Sequence, residues 1–282
     1  MKWRLLKYRI FSAFENMAID EAIFRETIAK QKPPTLRFFG WHPSAVSIGY
    51  FQNVDEEINV ERCRAAGVDV VRRMTGGKAV YHRDEVTYSL TASGAEKIFP
   101  DDIILTYELI SRGLARGLSM LGISADPAGV DGAALKKKTK LSSTCFWAPS
   151  ARELLVGGKK ICGSAQVRRS DAFLQHGSML MTFDASATAA LTLPSSSETL
   201  CRRLRDSVTA INEQLARPGS AEDISDALQK GLSEQLEVEF SEGGLTSSER
   251  HLADELLQKY TSEAWNFARK KDTFRVARER AF

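Results

Sequence analysis

Residues 151–183 read ARELLVGGKKICGSAQVRRSDAFLQHGSMLMTF and carry the clearest fold signal of the chain. Apolar and polar side chains alternate in three parts of this stretch, which run from Ala151 to Val156, from Lys160 to Arg168 and from Ala172 to Phe183. A period of two is typical of half-buried β-strands. The breaks at Gly157-Gly158 and Ser170-Asp171 are short enough for tight hairpin turns. The stretch therefore predicts three successive antiparallel strands.

The flanking sequence adds helices and further strands. Apolar residues recur with helical spacing from Phe14 to Ala29, and the same pattern predicts four later helices over 60–66, 103–121, 221–234 and 248–260. Short β-branched and aromatic runs predict strands over 35–39, 45–48, 68–73 and 85–91. Clustered strands with helices before and after them indicate an α+β fold, in which helices flank a mixed, largely antiparallel sheet.

Composition limits the class of protein. A chain of 282 residues with 43% hydrophobic content can bury a large core. The formal net charge is only +3, which gives no general field for nucleic acid, although 136–140 and 269–280 are locally basic. The N-terminus resembles no secretory signal, and no run approaches the roughly 18 apolar residues of a membrane span. We expect a cytoplasmic protein that binds neither nucleic acid nor membrane.

The four cysteines argue for chemistry rather than for cross-links. Cys63, Cys145, Cys162 and Cys201 show no C-x-x-C spacing, so we expect neither a metal site nor a disulfide framework. Cys145 follows three small hydroxyl residues and precedes Lys160 by one hairpin. A thiol with a pKa of about 8.5 is only about 3% ionised at pH 7, and a nearby ammonium increases that fraction. Cys145 and Lys160 are therefore a candidate nucleophile and its activating cation.

Other readings of the cysteines stay open. Any single cysteine is more often a small buried hydrophobic side chain than a nucleophile. Cys162 competes with Cys145, because it lies two residues from Lys160 on one predicted strand and should point to the same face. His82 and His176 are the histidines nearest to these segments, and either of them could act as a general base.

A glycine pair marks a second candidate segment. Gly76-Gly77 follows the strand that ends at Arg73, so the backbone there can approach a ligand closely, and Arg72, Arg73 and Lys78 could meet phosphate or carboxylate groups. Taken alone, such a pair more often marks a plain hairpin. Gly158–Ser164 lacks the lysine of a phosphate-binding loop, and neither G-x-G-x-x-G after a strand nor H-E-x-x-H occurs.

Taken together, the motifs resemble the biotin/lipoate protein ligase family, and within it the cysteine-dependent octanoyltransferases. The resemblance covers nearly the whole chain. It is carried by 14–21 (FENMAIDE), 38–43 (FFGWHP), 49–52 (GYFQ), 72–77 (RRMTGG), 87–89 (TYS), 142–146 (SSTCF), 160–166 (KICGSAQ) and 175–178 (QHGS).

The resemblance implies a fold and a set of site residues. The fold is the ligase-like mixed sheet, with a catalytic domain over 1–245 and a C-terminal helix and basic tail over 246–282. Cys145 and Lys160 are the implied catalytic residues. The implied acyl-binding residues are Arg73, Gly76 and Gly77 beside the acyl tunnel, Gly163 and Ala165 in the lysine motif, and His82 and His176 in the pocket. In the family an Asp often follows the loop histidine directly, whereas Arg83 intervenes here before Asp84.

The resemblance also implies a reaction. Octanoyl passes from acyl carrier protein to Cys145, and then to a lysine of the glycine cleavage H protein or of another lipoyl domain, without a cofactor and in a monomeric enzyme. Acyl carrier proteins are acidic, so the basic segments are possible docking sites. An ATP-dependent lipoate ligase, an amidotransferase that takes the acyl group from H protein, and a binding protein without turnover remain alternatives. Lys78, which replaces a third glycine of the ligases, favours a transferase.

Overall fold

The structure is a computed structural model and describes residues 2–30, 33–94, 97–127, 153–192 and 198–268. The strands are β1 Lys2–Phe11, β2 Thr35–Trp41, β3 Ala45–Ile48, β4 Asp69–Arg72, β5 Val80–His82, β6 Glu85–Ser93, β7 Asp126–Pro127, β8 Glu153–Val156, β9 Lys159–Arg169, β10 Ala172–Leu180 and β11 Glu239–Glu242. The helices are α1 Ala13–Lys30, α2 Val54–Glu57, α3 Val60–Ala65, α4 Ile103–Met120, α5 Ala185–Thr192, α6 Glu198–Ser207, α7 Ile211–Gln214, α8 Ala221–Leu236, α9 Ser247–Thr261 and α10 Glu263–Asn266.

Eight strands form one large sheet in the order β11-β1-β2-β6-β10-β9-β8-β7. β1 is parallel to both of its neighbours, whereas the other pairings are antiparallel. A second, small sheet has the order β4-β3-β5. The predicted α+β fold with a mixed, largely antiparallel sheet is confirmed.

The two predicted hairpin turns join β8, β9 and β10. Gly157 and Gly158 both have positive φ, 56° and 79°, which is the backbone geometry that a two-residue turn between twisted strands prefers. At the second turn Ser170 has a φ of 52°. Residues 153–180 therefore contain the three predicted antiparallel strands.

One irregularity in β9 changes the side-chain alternation. Leu155 pairs with Lys160 and Leu154 pairs with Cys162, so Ile161 is an extra residue without a counterpart on β8. Such a β-bulge shifts the faces of the residues that precede it relative to those that follow it. Lys160 therefore shares a face with Gly163, since a Cβ on Gly163 would lie 2.7 Å from the Lys160 Cε.

The large sheet separates two layers. On one face, Val86, Tyr88 and Leu90 of β6 join the main core, which α4 and α8 complete. On the other face lie α1, packed against α9, and the small sheet. The side chains that β6 turns to this second face are polar although they are buried, among them Thr87 and Ser89. A buried polar surface of this kind is expected where a site is built.

No helix within the described ranges combines the length and the apolar composition that crossing a lipid bilayer requires.

Three glycines allow α4 and α8 to cross closely. A Cβ on Gly231 of α8 would overlap the backbone of Gly113 and Gly117 in α4. Backbone atoms cannot rotate away as a side chain does, so an added methyl group must push the helices apart. These helices cover the main core, and their separation is therefore set by the glycines.

We predict that Gly231→Ala destabilises the protein by about 1–3 kcal/mol, the usual range for overpacking. The sign of the change in unfolding free energy is diagnostic, because a Gly→Ala substitution in an unconstrained helix stabilises the protein by roughly 0.5–1 kcal/mol. Denaturant unfolding measures it, with Lys230→Ala on the exposed side of α8 as the control. An unchanged or raised midpoint for Gly231→Ala would show that the helices can separate freely.

Candidate active site

A cavity of about 270 Å³ lies between the polar face of the large sheet and the small sheet. Strands of both sheets contribute to its wall, and the loop after β4 contributes the glycine segment. The lining residues are Met17, Trp41, Ser47, Arg73, Gly77, Lys78, Val80, His82, Thr87, Glu153, Lys160, Gly163, Ser164, Ala165, His176, Gly177 and Ser178.

The fold brings most of the predicted site residues to this cavity. Seven of the nine line it, namely Arg73, Gly77, His82, Lys160, Gly163, Ala165 and His176. Gly76 is next to it, and its carbonyl oxygen accepts a hydrogen bond from Arg73 Nη2 at 2.9 Å. Cys145, the predicted nucleophile, lies outside the described residues, as do the basic segments 136–140 and 269–280.

Lys160 enters the cavity as half of a buried ion pair. Its Nζ donates to Oε1 of Glu153 at 2.6 Å, and the two residues are 5% and 6% exposed. Gly163 makes room for the lysine, because any larger residue there would collide with its Nζ and Cε. Two buried groups of opposite charge in direct contact fix each other's position. The arrangement can therefore stabilise negative charge that develops in the cavity.

Gly77 of the glycine loop packs closely against Gly49 in the loop after β3, whereas a Cβ on Gly76 would meet no atom within 4 Å. A Cβ on Gly49 would overlap the carbonyl group of Gly77, and Gly77 has a φ of 94°. Arg73 holds the loop from within, because its Nη2 donates to the carbonyl oxygens of Gly76 and Lys78 at 2.9 Å and 2.7 Å. The glycines thus serve close backbone packing at the cavity wall.

Arg72 does not line the cavity, contrary to the expectation that it could meet a ligand. Its buried guanidinium donates to the carbonyl oxygens of Gly49, Tyr50 and Gln52, and also to those of Trp265 and Asn266. Successive residues of an extended chain point to opposite sides, so Arg72 at the end of β4 faces away from the cavity that the next residue, Arg73, lines. Arg72 therefore ties the loop after β3 to the C-terminal helix α10.

His82 is held between a carboxylate and a hydroxyl group. Its Nδ1 lies 2.9 Å from Glu85 Oε1, and its Nε2 lies 2.7 Å from Ser47 Oγ. The ring also stacks on Trp41, with centroids 4.0 Å apart and an interplanar angle of 14°. Burial raises the pKa of the Glu85 carboxyl, but the adjacent His82 outweighs this effect, and the pKa lies below its ordinary value. Glu85, rather than the Asp of the family motif, is thus the partner of His82.

His176 has a comparable environment on β10 of the large sheet. Its Nε2 lies 2.7 Å from Thr75 Oγ1, and its Nδ1 lies 3.4 Å from Asp20 Oδ2. Burial lowers the pKa of His176, and this effect outweighs the opposing contacts with Asp20. Asp20 is also bound by Arg37 Nη1 at 2.7 Å, which keeps the carboxyl pKa low despite complete burial. His176 is therefore a neutral ring at neutral pH.

The expectation that Cys162 shares a face with Lys160 is wrong. The bulge at Ile161 lies between them, so Cys162 turns away from the cavity and joins the main core beside Met179. Burial raises the pKa of its thiol to about 12, and burial raises that of Cys63 in α3 to about 11. Both thiols are therefore protonated at neutral pH. This agrees with the alternative interpretation that these cysteines are small buried hydrophobic side chains.

Three residues of the site escaped the sequence analysis. Ser47 and Glu153 are single polar residues inside short strands, where alternation assigns them to a solvent face. Glu85 is the first residue of β6, whose other residues are all buried. An acidic residue in a strand of this kind could have indicated a functional role. In the ranges that the structure describes, no three His, Cys, Asp or Glu side chains come close enough together to hold a metal ion.

Comparison with known proteins identifies the class. Residues 12–233 match the family model described as the lipoyl protein ligase A/B catalytic domain, so the chain belongs to this family. The chain is 37% identical over 268 residues to the octanoyltransferase LipM of Clostridioides difficile, with 94% of this chain and 98% of that protein covered. It is 41% identical over 270 residues to the octanoyltransferase LipM of Carboxydothermus hydrogenoformans, with the same coverage.

Solved structures agree with the family. A lipoate-protein ligase A bound with ATP superimposes with a TM-score of 0.78 at 30% identity, and the match covers 95% of this chain and 100% of that one. The bi-partite lipoate protein ligase of Thermoplasma acidophilum gives a TM-score of 0.79 at 28% identity, with 95% and 97% covered. The resemblance to the family that the sequence motifs carried is thereby confirmed.

The environment of His176 predicts a loss of stability in mild acid. Its pKa is lowered in the folded state, so the unfolded chain takes up a proton first as pH falls below about 6.5, and stability decreases there. The lowered carboxyl pKa of Asp20 acts only at lower pH, near and below about 3.9. We expect His176→Gln to flatten the decline in unfolding free energy between pH 7.5 and about 5.5.

Urea unfolding at a series of pH values measures this effect. His251→Gln is the matched control, since the His251 side chain is 79% exposed and should leave the slope unchanged. Equal slopes for wild type and His176→Gln would contradict the assignment of a depressed pKa to this histidine.

Proposed function

We propose that the protein is an octanoyltransferase of lipoate assembly, which carries octanoyl as a thioester on Cys145 before passing it to a lysine of a lipoyl-accepting protein. The observation that carries this proposal is a buried ammonium, that of Lys160, fixed inside a cavity of a lipoyl protein ligase A/B chain. The relatives with 37% and 41% identity over almost the full length carry the name octanoyltransferase, which supports the acyl group and the reaction type.

The reaction has two half-reactions. The Cys145 thiolate attacks the thioester carbonyl of the octanoyl donor, a new C–S bond forms, and the donor thiol leaves. The acceptor amine then attacks the enzyme thioester, a C–N bond forms, and the Cys145 sulfur leaves. Conversion of a thioester into an amide is downhill, so the reaction requires neither ATP nor another cofactor. Within the described ranges no cysteine lines the cavity, which supports Cys145 as the nucleophile.

Lys160 acts on both steps in this proposal. Its ammonium lowers the pKa of the Cys145 thiol and binds the oxyanion that forms when the carbonyl is attacked. Glu153 Oε1 accepts a hydrogen bond from the Lys160 amine and fixes its position inside the cavity. Around it Arg73, Gly77, Gly163 and Ala165 shape the wall for the acyl chain.

The partners follow from the same proposal. The donor is octanoyl-acyl carrier protein, and the acceptor is the glycine cleavage H protein or another lipoyl domain. The basic segments 136–140 and 269–280 provide attractive charge for an acidic donor. The protein acts as a cytoplasmic monomer, with its catalytic domain over 1–245 and an accessory C-terminal segment over 246–282.

Cys145→Ser should prevent acyl loading while the protein stays folded. We expect wild type incubated with octanoyl-acyl carrier protein to gain the mass of one octanoyl group, and Cys145→Ser to gain none under the same conditions. Intact-mass spectrometry measures the adduct. Cys201→Ser is the control, because Cys201 is a half-buried cysteine of α6 outside the cavity lining.

Parallel incubations distinguish the alternatives. Loading from octanoyl-H protein but not from the carrier protein would indicate an amidotransferase. Release of pyrophosphate with lipoate and ATP, undiminished in Cys145→Ser, would identify a ligase and refute the thioester.

Removal of the Lys160 charge should slow loading more than tenfold in single-turnover measurements. Lys160→Met alone removes the cation that contacts the buried Glu153 carboxylate, and breaking a buried ion pair in this way destabilises by about 3–5 kcal/mol. The double variant Lys160→Met with Glu153→Gln removes both charges and separates catalysis from folding. A double variant that is stable and loads at the wild-type rate would eliminate the lysine from the mechanism.

A further inference from the structure

We infer that Ser47, His82 and Glu85 form a proton relay that serves the second half-reaction, in which the acceptor lysine attacks the enzyme thioester. His82 takes the proton, Ser47 conducts it, and Glu85 positions the ring. The inference rests on the proposed function, because it assumes an acyl-enzyme. It adds a base for the acceptor amine that is separate from Lys160.

The hydrogen positions follow from the partners of each atom. A carboxylate only accepts hydrogen bonds, so the His82 Nδ1 that contacts Glu85 Oε1 at 2.9 Å carries the hydrogen. The Nε2 of a neutral ring is then an acceptor, and Ser47 Oγ at 2.7 Å is its donor. Arg73 Nη1 can only donate hydrogen bonds, and it donates one to Ser47 Oγ at 3.0 Å. The hydrogen of the serine hydroxyl group is therefore available for the His82 ring. The ring is thus held as a base.

Ser47 connects this base to the cavity. Ser47, His82 and Trp41 all line the cavity wall, although Ser47 is 1% and His82 5% exposed. The serine oxygen accepts from Arg73 and donates to His82, so one of its two lone pairs remains for a donor inside the cavity. An amine nitrogen that approaches the thioester from this wall can donate to that lone pair. A direct approach to Nε2 is blocked by Ser47 itself.

Glu85 is fixed as tightly as the ring. Trp41 Nε1 donates to its Oε1 at 3.1 Å, and the Thr87 hydroxyl donates to the same oxygen. Trp41 also stacks on the His82 ring, which prevents the ring from turning. Three elements, β2, β5 and β6, therefore fix the orientation of one imidazole.

The acyl transfer to the acceptor lysine conserves atoms and electrons. The acceptor lysine loses one proton to solvent and arrives as a neutral amine. As its nitrogen forms the C–N bond, the C–S bond breaks and its electron pair returns to sulfur. The second amine proton passes to Ser47 Oγ while the serine proton passes to His82 Nε2, and Glu85 stabilises the resulting imidazolium. Transfer of that proton to the sulfur or to water restores the neutral ring.

Other charges face this relay. Arg73 Nη1 contacts Ser47 Oγ, and Glu85 contacts the ring directly. His176, Lys78 and the Lys160–Glu153 pair are further charged or titratable groups around the same cavity. Glu85, in direct contact with Nδ1, is thus the charge that fixes the tautomer and the orientation of the ring.

The test separates the two half-reactions. Wild type, Ser47→Ala and Glu85→Gln are loaded with octanoyl, and loading is followed by intact mass. The purified acyl-enzymes are then mixed with excess H protein in a quench experiment. We expect loading within twofold of wild type and transfer slowed at least tenfold in both variants, as for the loss of a general base.

The control is Thr106→Val, which removes another buried hydroxyl group that accepts from an arginine, Arg168, at 2.6 Å. Thr106 belongs to α4 and is not part of the cavity wall, so both steps should stay within twofold. Equal slowing of loading and transfer, or a wild-type transfer rate in either variant, would overturn the relay. A wild type that gains no octanoyl mass contradicts the proposed function as well, whereas loading without the split contradicts the relay alone.

Discussion

The site depends on one extra residue in β9. The bulge at Ile161 reverses the side-chain alternation, so the Lys160 ammonium points to the polar face of the sheet while Cys162 points into the main core. In a regular strand both side chains would lie on the same face. Either the Lys160 ammonium would then enter the apolar core, or the Cys162 thiol would enter the cavity. Bulges often re-aim a side chain beside an active site in this way. Gly163 completes the arrangement because it leaves space for the lysine.

A polar face buried this deeply requires that charges be paired. Lys160 with Glu153 and Asp20 with Arg37 are two such pairs around or beside the cavity, and the Glu85 carboxylate is held by His82 Nδ1 and Trp41 Nε1. Buried pairs add little net stability, but removal of one partner is strongly destabilising. These contacts fix the orientation of the side chains, because each charged group holds its partner in a single geometry. Stability comes instead from the opposite layer, where α4 and α8 close over apolar strands.

Part of the fold could be read from sequence because its signals are local. The helix from Phe14 to Ala29 and the β9–β10 hairpin follow from periodicity and turn residues, and both are confirmed. β1, in contrast, was not predicted, because charged residues interrupt its apolar ones and much of it is half exposed. Its pairing with β11 joins residues almost 240 positions apart, which no local pattern records.

The sequence alone determined the strand and helix periods, the turns and the order of the family motifs. It also drew attention to most of the residues that line the cavity, because each sits in a motif. Only the tertiary structure decided which atoms meet. Glu85 rather than Asp84 binds His82, Ser47 stands between that ring and the cavity, and Arg72 turns inward to backbone carbonyls. These contacts depend on register and on the bulge, and a shift of one residue exchanges the two faces of a strand.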